Sequence, residues 1–127
     1  MYPEELRYTA EHEWVRLEAD GTVFFGITAF AQEALGDIVY VTMPAAGESL
    51  TAGAPCGEVE STKSVSDIYS PLDGVVISRN DKLDSTPESI NADPYGAGWM
   101  VSMQPNDPEQ IAVLLSAADY QEMTQKG

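Results

Sequence analysis

Lysine is rare in this chain, and one lysine stands where an accessible amine could do chemistry. Three lysines occur in 127 residues, and Lys63 lies within the stretch GEVESTKSVSDIYSPLDG at 57–74. Serine and threonine flank it on both sides and leave the amine accessible at a predicted hairpin tip. Glu60 and Asp67 make its surroundings acidic, whereas a catalytic lysine generally needs burial or neighbouring cations. The pattern favours a lysine that is modified over one that catalyses, with an ordinary exposed turn lysine as the simpler alternative.

Other residue types that could do chemistry are scarce. His12 is the sole histidine and Cys56 is the sole cysteine. A catalytic triad could be built only around His12, and no G-x-S-x-G elbow accompanies it. A zinc site would need His12, Cys56 and carboxylates that show no characteristic spacing. We therefore expect no metal site and no catalytic residue. His12 is predicted to hydrogen-bond beside Trp14, and Cys56 is predicted to be a small buried apolar group.

Length and charge limit the function further. A chain of 127 residues is the size of one domain. Its 21 acidic residues against 6 basic ones give a net charge of -15, which would repel a phosphate backbone, so we expect no nucleic acid and partners with basic surfaces. The N-terminus lacks the features of a signal peptide, and no apolar run is long enough to span a membrane. We expect a cytoplasmic monomer that does not bind a membrane.

The elements that must position Lys63 are mostly short strands. Apolar residues alternate with a period of two in four segments: Val23, Phe25 and Ile27; Val39, Val41 and Met43; Val75 and Ile77; Val101 and Met103. Glycine and proline turns separate these segments, which predicts a mostly β fold of the sandwich or flattened-barrel type. Val59 and Val65 are predicted to point inward on either side of the Lys63 tip.

Helix is confined to short pieces and to the C-terminus. Thr28 is predicted to cap a short helix that ends at Gly36. A C-terminal helical segment is predicted over about 107–124, starting with an Asp-Pro cap. The residues predicted to face the core from it are Ile111, Leu114, Leu115 and Ala118. The pattern leaves open whether Tyr120 extends this helix or lies on a second short helix that starts near Ser116.

The stretch around Lys63 resembles the lipoyl-attachment region of the glycine cleavage H-protein family. The segments YTAEHEWVRLE, GITAFAQEALGDIVYV, PAAGESLTAG and NADPYGAGWMV also resemble successive blocks of that family, so the resemblance covers about residues 6–120. It implies a single lipoyl-carrier domain over 1–127, with a lipoyl-binding core at about 22–104. The implied fold is a lipoyl/biotinyl-type sandwich, or flattened barrel, of two antiparallel sheets with short peripheral helices and a C-terminal helix.

The resemblance also implies a function. It predicts lipoic acid in amide linkage to Lys63, and a non-catalytic carrier that shuttles the aminomethyl group of glycine. The implied partners are the P protein, which decarboxylates glycine, the T protein, which transfers the methylene to tetrahydrofolate, and the L protein, which reoxidises the dithiol. A lipoate-attaching enzyme is a further implied partner. Because an aminomethyl thioether hydrolyses readily, the loaded arm is expected to fold back into a cleft.

Further site residues follow from the resemblance alone. Glu60 and Gly74 match positions associated with recognition by the lipoate-attaching enzyme, and Glu13 and Asp67 match positions near the docked arm. Either of the last two could instead be a solvated surface acid. The chain departs from some relatives, which carry polar or histidine residues at the positions of Ala29, Phe30 and Ala34. A contact from position 34 to the arm is therefore absent.

Two alternatives to the glycine cleavage carrier remain at this point. One is a relay carrier that delivers a lipoyl or octanoyl group to other lipoyl proteins, which also predicts a modified Lys63. The other, from a different class, is a small enzyme that uses His12 and carboxylates.

Overall fold

The computed structural model describes residues 2–126 and consists of two antiparallel sheets with short helices. The larger sheet has six strands in the order β1-β2-β3-β9-β8-β5, and the smaller sheet has three in the order β4-β6-β7. The strands are β1 (Arg7–Tyr8), β2 (Glu13–Leu17), β3 (Val23–Ile27), β4 (Ile38–Thr42), β5 (Ser49–Leu50), β6 (Pro55–Ser61), β7 (Val65–Tyr69), β8 (Gly74–Arg79) and β9 (Val101–Pro105). The predicted two-sheet architecture is confirmed.

The main core lies between the two sheets and follows the predicted alternation in part. The predicted sets on β3 and β9 are buried as expected, as are Val41 and Met43. Val39 is exposed, because an irregularity in the β4–β6 pairing between Ile38 and Tyr40 shifts the alternation. On β8, Val75 and Ile77 share a face, but it is the exposed one, and Val76 faces the core.

The hairpin formed by β6 and β7 carries Lys63 at its turn. Val59 is buried with 1% of its surface exposed, as predicted, but Val65 is 57% exposed and the prediction for it was wrong. Glu60 pairs directly with Val65 across the hairpin. Directly paired residues project from the same side of a sheet, so Val65 points outward beside Glu60.

The short helices begin and end at identifiable residues. Helix α1 (Ala29–Leu35) has Thr28 as its N-cap, whose hydroxyl accepts a hydrogen bond from the Ala31 N–H, and Gly36 as its C-cap, as predicted. Gly36 has φ 85° and ψ -154°, a conformation that is essentially restricted to glycine. A 3-10 helix (Asp81–Asp84) and helix α2 (Ser89–Ala92) follow β8.

The C-terminal segment contains two helices, α3 (Glu109–Ala112) and α4 (Ala117–Lys126), so the second of the two alternatives is confirmed. Between them Leu115 forms an isolated bridge with Tyr8, with both backbone N–H to carbonyl distances at 2.8 Å. This break resets the helical phase, so that Ala117 is buried and Ala118, predicted to face the core, is exposed.

A second apolar cluster lies on the other side of the larger sheet, where α4 packs. Its fully buried members include Tyr8, Trp14 and Tyr120, and the rings of Tyr8 and Tyr120 stack with centroids 4.8 Å apart. The Trp14 indole N–H donates to the Pro94 carbonyl at 2.9 Å. Helix α4 is therefore anchored to β1 by aromatic packing.

Candidate functional site

Lys63 lies exposed in the turn between β6 and β7, and one serine organises that turn. The Ser61 hydroxyl oxygen accepts hydrogen bonds from the N–H groups of Lys63 and Ser64, each at 3.1 Å. Ser61 also donates its hydroxyl to the Ser64 carbonyl at 3.2 Å, and its side chain is buried. The lysine is therefore displayed on an ordered turn.

The end of α1 supports the lysine side chain. A Cβ added to Gly36 would lie 3.2 Å from Cε of Lys63, so the aliphatic stem of the lysine crosses the bare glycine backbone. The Thr62 N–H donates to the Asp37 carbonyl at 3.1 Å and joins the turn to the segment that follows α1. These contacts define the direction in which the lysine leaves the protein surface.

A cavity of about 240 Å³ lies beside α1. Apolar residues of α1 line it together with residues at the start of β2 and on β7. The lining residues are Glu11, His12, Glu13, Ile27, Phe30, Ala31, Ala34, Leu35, Val59, Ser66, Asp67 and Ile68. The cavity is thus apolar with three carboxylates and one histidine on its walls.

Glu13 is the most deeply buried of these carboxylates, with 1% of its surface exposed. One carboxylate oxygen accepts from the Thr9 hydroxyl at 2.5 Å and the other from the Tyr69 N–H at 3.2 Å. Burial raises the pKa of Glu13 to about 7, and the two hydrogen bonds only partly oppose this rise. Near neutral pH the carboxyl group is therefore divided between its neutral and charged forms.

His12 forms part of the same wall and has an unusual backbone. Its φ of 73° is the only positive value among the non-glycine residues that the structure describes. The imidazole stacks on the Phe30 ring at 4.7 Å, and its Nδ1 lies 2.7 Å from the Tyr120 hydroxyl. Burial lowers the pKa of His12, with Glu11 acting in the opposite direction. His12 forms a hydrogen bond, as predicted. Its position in the cavity wall was not predicted.

The structure brings Glu13 and Asp67 to one cavity. Asp67 is exposed on β7 and contributes to the rim. Of Ala29, Phe30 and Ala34, the last two line the cavity and contribute apolar surface to it. Ala29 instead donates its N–H to the Tyr95 hydroxyl at 2.9 Å.

Glu60 and Gly74 lie apart from this cavity. Glu60 is exposed on the outer face of the smaller sheet, between Tyr40 and Val65. Gly74 begins β8 and is buried. A Cβ there would lie 2.3 Å from the Gln104 carbonyl oxygen, so any side chain would separate β8 from β9. The structure thus gives Gly74 a packing reason that does not depend on recognition.

Cys56 is half-buried against the core, and burial raises its pKa to about 12. Among residues 2–126, no group of three His, Cys, Asp or Glu side chains is arranged to hold a metal ion. In that same range, no helix has the length and hydropathy needed to cross a membrane.

Sequence reasoning missed three residues that shape the site: Ser61, Gly36 and Tyr120. The first two carried a usable signal, because a serine two residues before the lysine is a common turn acceptor and Gly36 ends a capped helix. Tyr120 carried none, since it is 108 positions from His12 and only the folded chain brings them together.

This chain is similar in sequence and in structure to known proteins of one family. The family model described as "Glycine cleavage H-protein" matches residues 6–127. A glycine cleavage system H protein from Halorhodospira halophila is 52% identical over 121 residues, covering 95% of this chain and 93% of that protein. One from Mycobacterium avium is 53% identical over 122 residues, covering 93% and 92%. The crystal structure of a glycine cleavage system H protein from Mycobacterium marinum superposes with a TM-score of 0.90 at 44% identity, covering 97% of this chain and 98% of that one.

Proposed function

The chain belongs to the glycine cleavage H-protein family, and we propose that it carries lipoic acid in amide linkage on Lys63. Its role is that of the lipoyl carrier of the glycine cleavage system. The observation that best supports Lys63 as the attachment point is its placement on an ordered, exposed turn beside a cavity with acidic walls. Attachment needs an accessible amine, and group transfer needs a nearby place for the loaded arm.

The residues present fit a lipoyl arm. Gly36 offers a bare backbone on which the lysine stem lies, a space that any Cβ would occupy. A lysine extended by a lipoyl group reaches roughly 14 Å from its Cα on standard bond geometry. When bound, the lipoyl group would supply a disulfide that is reduced as one sulfur takes the aminomethyl group, and the dithiol left after transfer would be oxidised back to the disulfide. The protein supplies the anchor and the cavity.

The cavity suits an arm that ends in an amine. Its apolar wall from α1 would cover the hydrocarbon chain, and Glu13 and Asp67 would face the ammonium. Glu13 must lose its proton to act as a counter-ion, and an adjacent ammonium favours that loss. We therefore propose Glu13 as the buried counter-ion and Asp67 as the carboxylate at the rim.

The partners follow from the carrier role. We propose that the P, T and L proteins of the glycine cleavage system visit the arm in turn, and that this chain contributes no catalytic group. A lipoate-attaching enzyme is proposed to contact Glu60, which is exposed on the same hairpin as Lys63. For Gly74 we propose an indirect part in recognition, through the tight β8–β9 packing that it permits. A cytoplasmic location and a monomeric state complete the proposal.

Intact mass spectrometry after incubation with lipoate and a lipoate ligase tests this function. We expect one lipoyl mass increment on the wild-type protein and none on Lys63→Arg. A wild-type protein that stays unmodified, although Lys63 reacts with a general amine reagent, would contradict the proposal. A transfer assay then separates the carrier from the relay: the group should move with the P and T proteins and should not move to other lipoyl domains.

A further inference from the structure

The hydroxyl of Tyr120 links α4 to the arm cavity. It lies 2.7 Å from His12 Nδ1 and 2.8 Å from the Thr28 hydroxyl oxygen. Thr28 is fully buried and caps α1, which contributes apolar residues to the cavity, and His12 also lines the cavity. One phenol oxygen from the C-terminal helix thus contacts two residues that shape the site.

The direction of the hydrogen bonds follows from the number of donors. The Thr28 oxygen already accepts from the Ala31 N–H at 3.2 Å, so the Thr28 hydroxyl hydrogen is available for Tyr120. If Tyr120 donated to Thr28 instead, that buried hydroxyl hydrogen would have no acceptor among the described residues, at a considerable cost in free energy. Thr28 therefore donates to Tyr120. Among the described residues, the Tyr120 hydroxyl hydrogen then has His12 Nδ1 as its remaining acceptor, so Tyr120 donates to His12.

This direction determines the chemical form of His12. Because Nδ1 accepts a hydrogen bond, it carries no proton, and the neutral ring holds its proton on Nε2. The groups that face the ring are Tyr120 on one side, the Phe30 ring packed against it, and Glu11, whose charge favours a protonated ring. Burial lowers the pKa of His12, and the hydrogen bond from Tyr120 to Nδ1 acts in the same direction, against Glu11.

We propose that Tyr120 is a positioning residue of the arm cavity, which holds His12 as a neutral imidazole so that no second cation competes with the loaded amine. This inference rests on the carrier function proposed above. An imidazolium in the same wall as Glu13 would repel an incoming ammonium and pair with its counter-ion. The cavity selects a cationic arm only while its one histidine stays uncharged.

The variant Tyr120→Phe tests this role, and Tyr8→Phe is its matched control. The two rings stack on each other at an interplanar angle of 9°, and each variant removes one hydroxyl from that pair. The Tyr8 hydroxyl donates to the Pro3 carbonyl at 2.7 Å and has no contact with the cavity among the described residues. General loosening of the aromatic cluster should affect both variants, whereas loss of the His12 contact should affect only one.

The first measurement is the nitrogen NMR spectrum of the sole histidine, in the unmodified protein across a pH titration. We expect the Nε2–H tautomer in the wild type and in Tyr8→Phe. In Tyr120→Phe we expect mixed tautomers and a higher titration midpoint, because the donor that favours the neutral ring is gone. An Nδ1–H tautomer in the wild type would overturn the proposal, even if Tyr120→Phe failed to fold.

The second measurement is the rate at which the loaded carrier loses its aminomethyl group without partner enzymes. At pH 6 we expect Tyr120→Phe to lose it roughly tenfold faster than Tyr8→Phe, the effect of one added charge in a half-buried site. At pH 8 the two rates should converge. Equal rates at pH 6 would refute the role of Tyr120, whereas a wild-type protein that accepts no lipoate would refute the carrier function itself.

Discussion

Replacing Glu13 with glutamine should make the protein more stable at alkaline pH. The pKa of this carboxyl is raised from 4.5 to about 7, so the folded protein holds its proton more tightly than the unfolded chain does. A raised folded-state pKa contributes stability that is fully present below pH 4.5 and lost as the pH rises through about 7. At about 1.4 kcal/mol per pKa unit, the loss is about 3 kcal/mol. Glutamine resembles the protonated form and does not titrate.

Urea denaturation of the wild type and Glu13→Gln at pH 4.5, 6 and 8 measures this difference. Many other carboxylates titrate in this acidic chain, so the informative quantity is the free energy of unfolding of the variant minus that of the wild type. It should rise by about 3 kcal/mol between the lowest and the highest pH. Asp67→Asn, at the exposed rim of the same cavity, is the control and should show a much smaller change. Parallel profiles for wild type and Glu13→Gln would refute the argument that burial makes this carboxyl costly to ionise.

Four further substitutions test the display of the lysine and the packing behind it. Lys63→Arg should abolish lipoylation and change the free energy of unfolding by less than about 0.5 kcal/mol, as measured by mass spectrometry and urea denaturation. Ser61→Ala should cost about 1–2 kcal/mol and slow lipoylation, because the turn loses its shared acceptor. Gly36→Ala should cost about 1–3 kcal/mol from backbone strain and displace the lysine stem, which a lipoylation time course would detect. Gly74→Ala should destabilise the fold by at least about 2 kcal/mol through its clash with the β9 backbone, and should slow lipoylation of the folded fraction, because the β8–β9 packing through which Gly74 is proposed to act is disturbed.

The parts of the fold that follow local rules could be predicted from the sequence. Thr28 and Gly36 bound α1 as expected, because a capping hydroxyl and a glycine with positive φ act within a few residues. The outward orientation of Val65 was missed because strand register depends on the turn between the strands. The exposure of Ala118 was missed because the Tyr8–Leu115 bridge interrupts the helix, and that contact spans nearly the whole chain.

The candidate site, like the fold, has residues that local sequence identifies and others whose properties depend on the folded chain. Lys63 could be identified from its neighbours, since accessibility and acidity are local properties of the hairpin. The resemblance supplied Glu13 and Asp67, but it could not tell which of them is buried. The raised pKa of Glu13 comes from its burial, which the hydrogen bonds from Thr9 and Tyr69 only partly oppose, and only the folded chain assembles these surroundings. The contact of His12 with Tyr120 is of the same kind.

The lysine stem that crosses Gly36 has a consequence for how strongly the cavity must bind. An arm that starts from a fixed point on the surface and reaches roughly 14 Å sweeps a half-sphere of about 5,700 Å³. One group in that volume has a local concentration of about 0.3 M. A cavity whose intrinsic dissociation constant is only about 30 mM would therefore hold the arm about nine-tenths of the time. Such weak binding protects the cargo between visits and still lets a partner enzyme withdraw the arm at little cost.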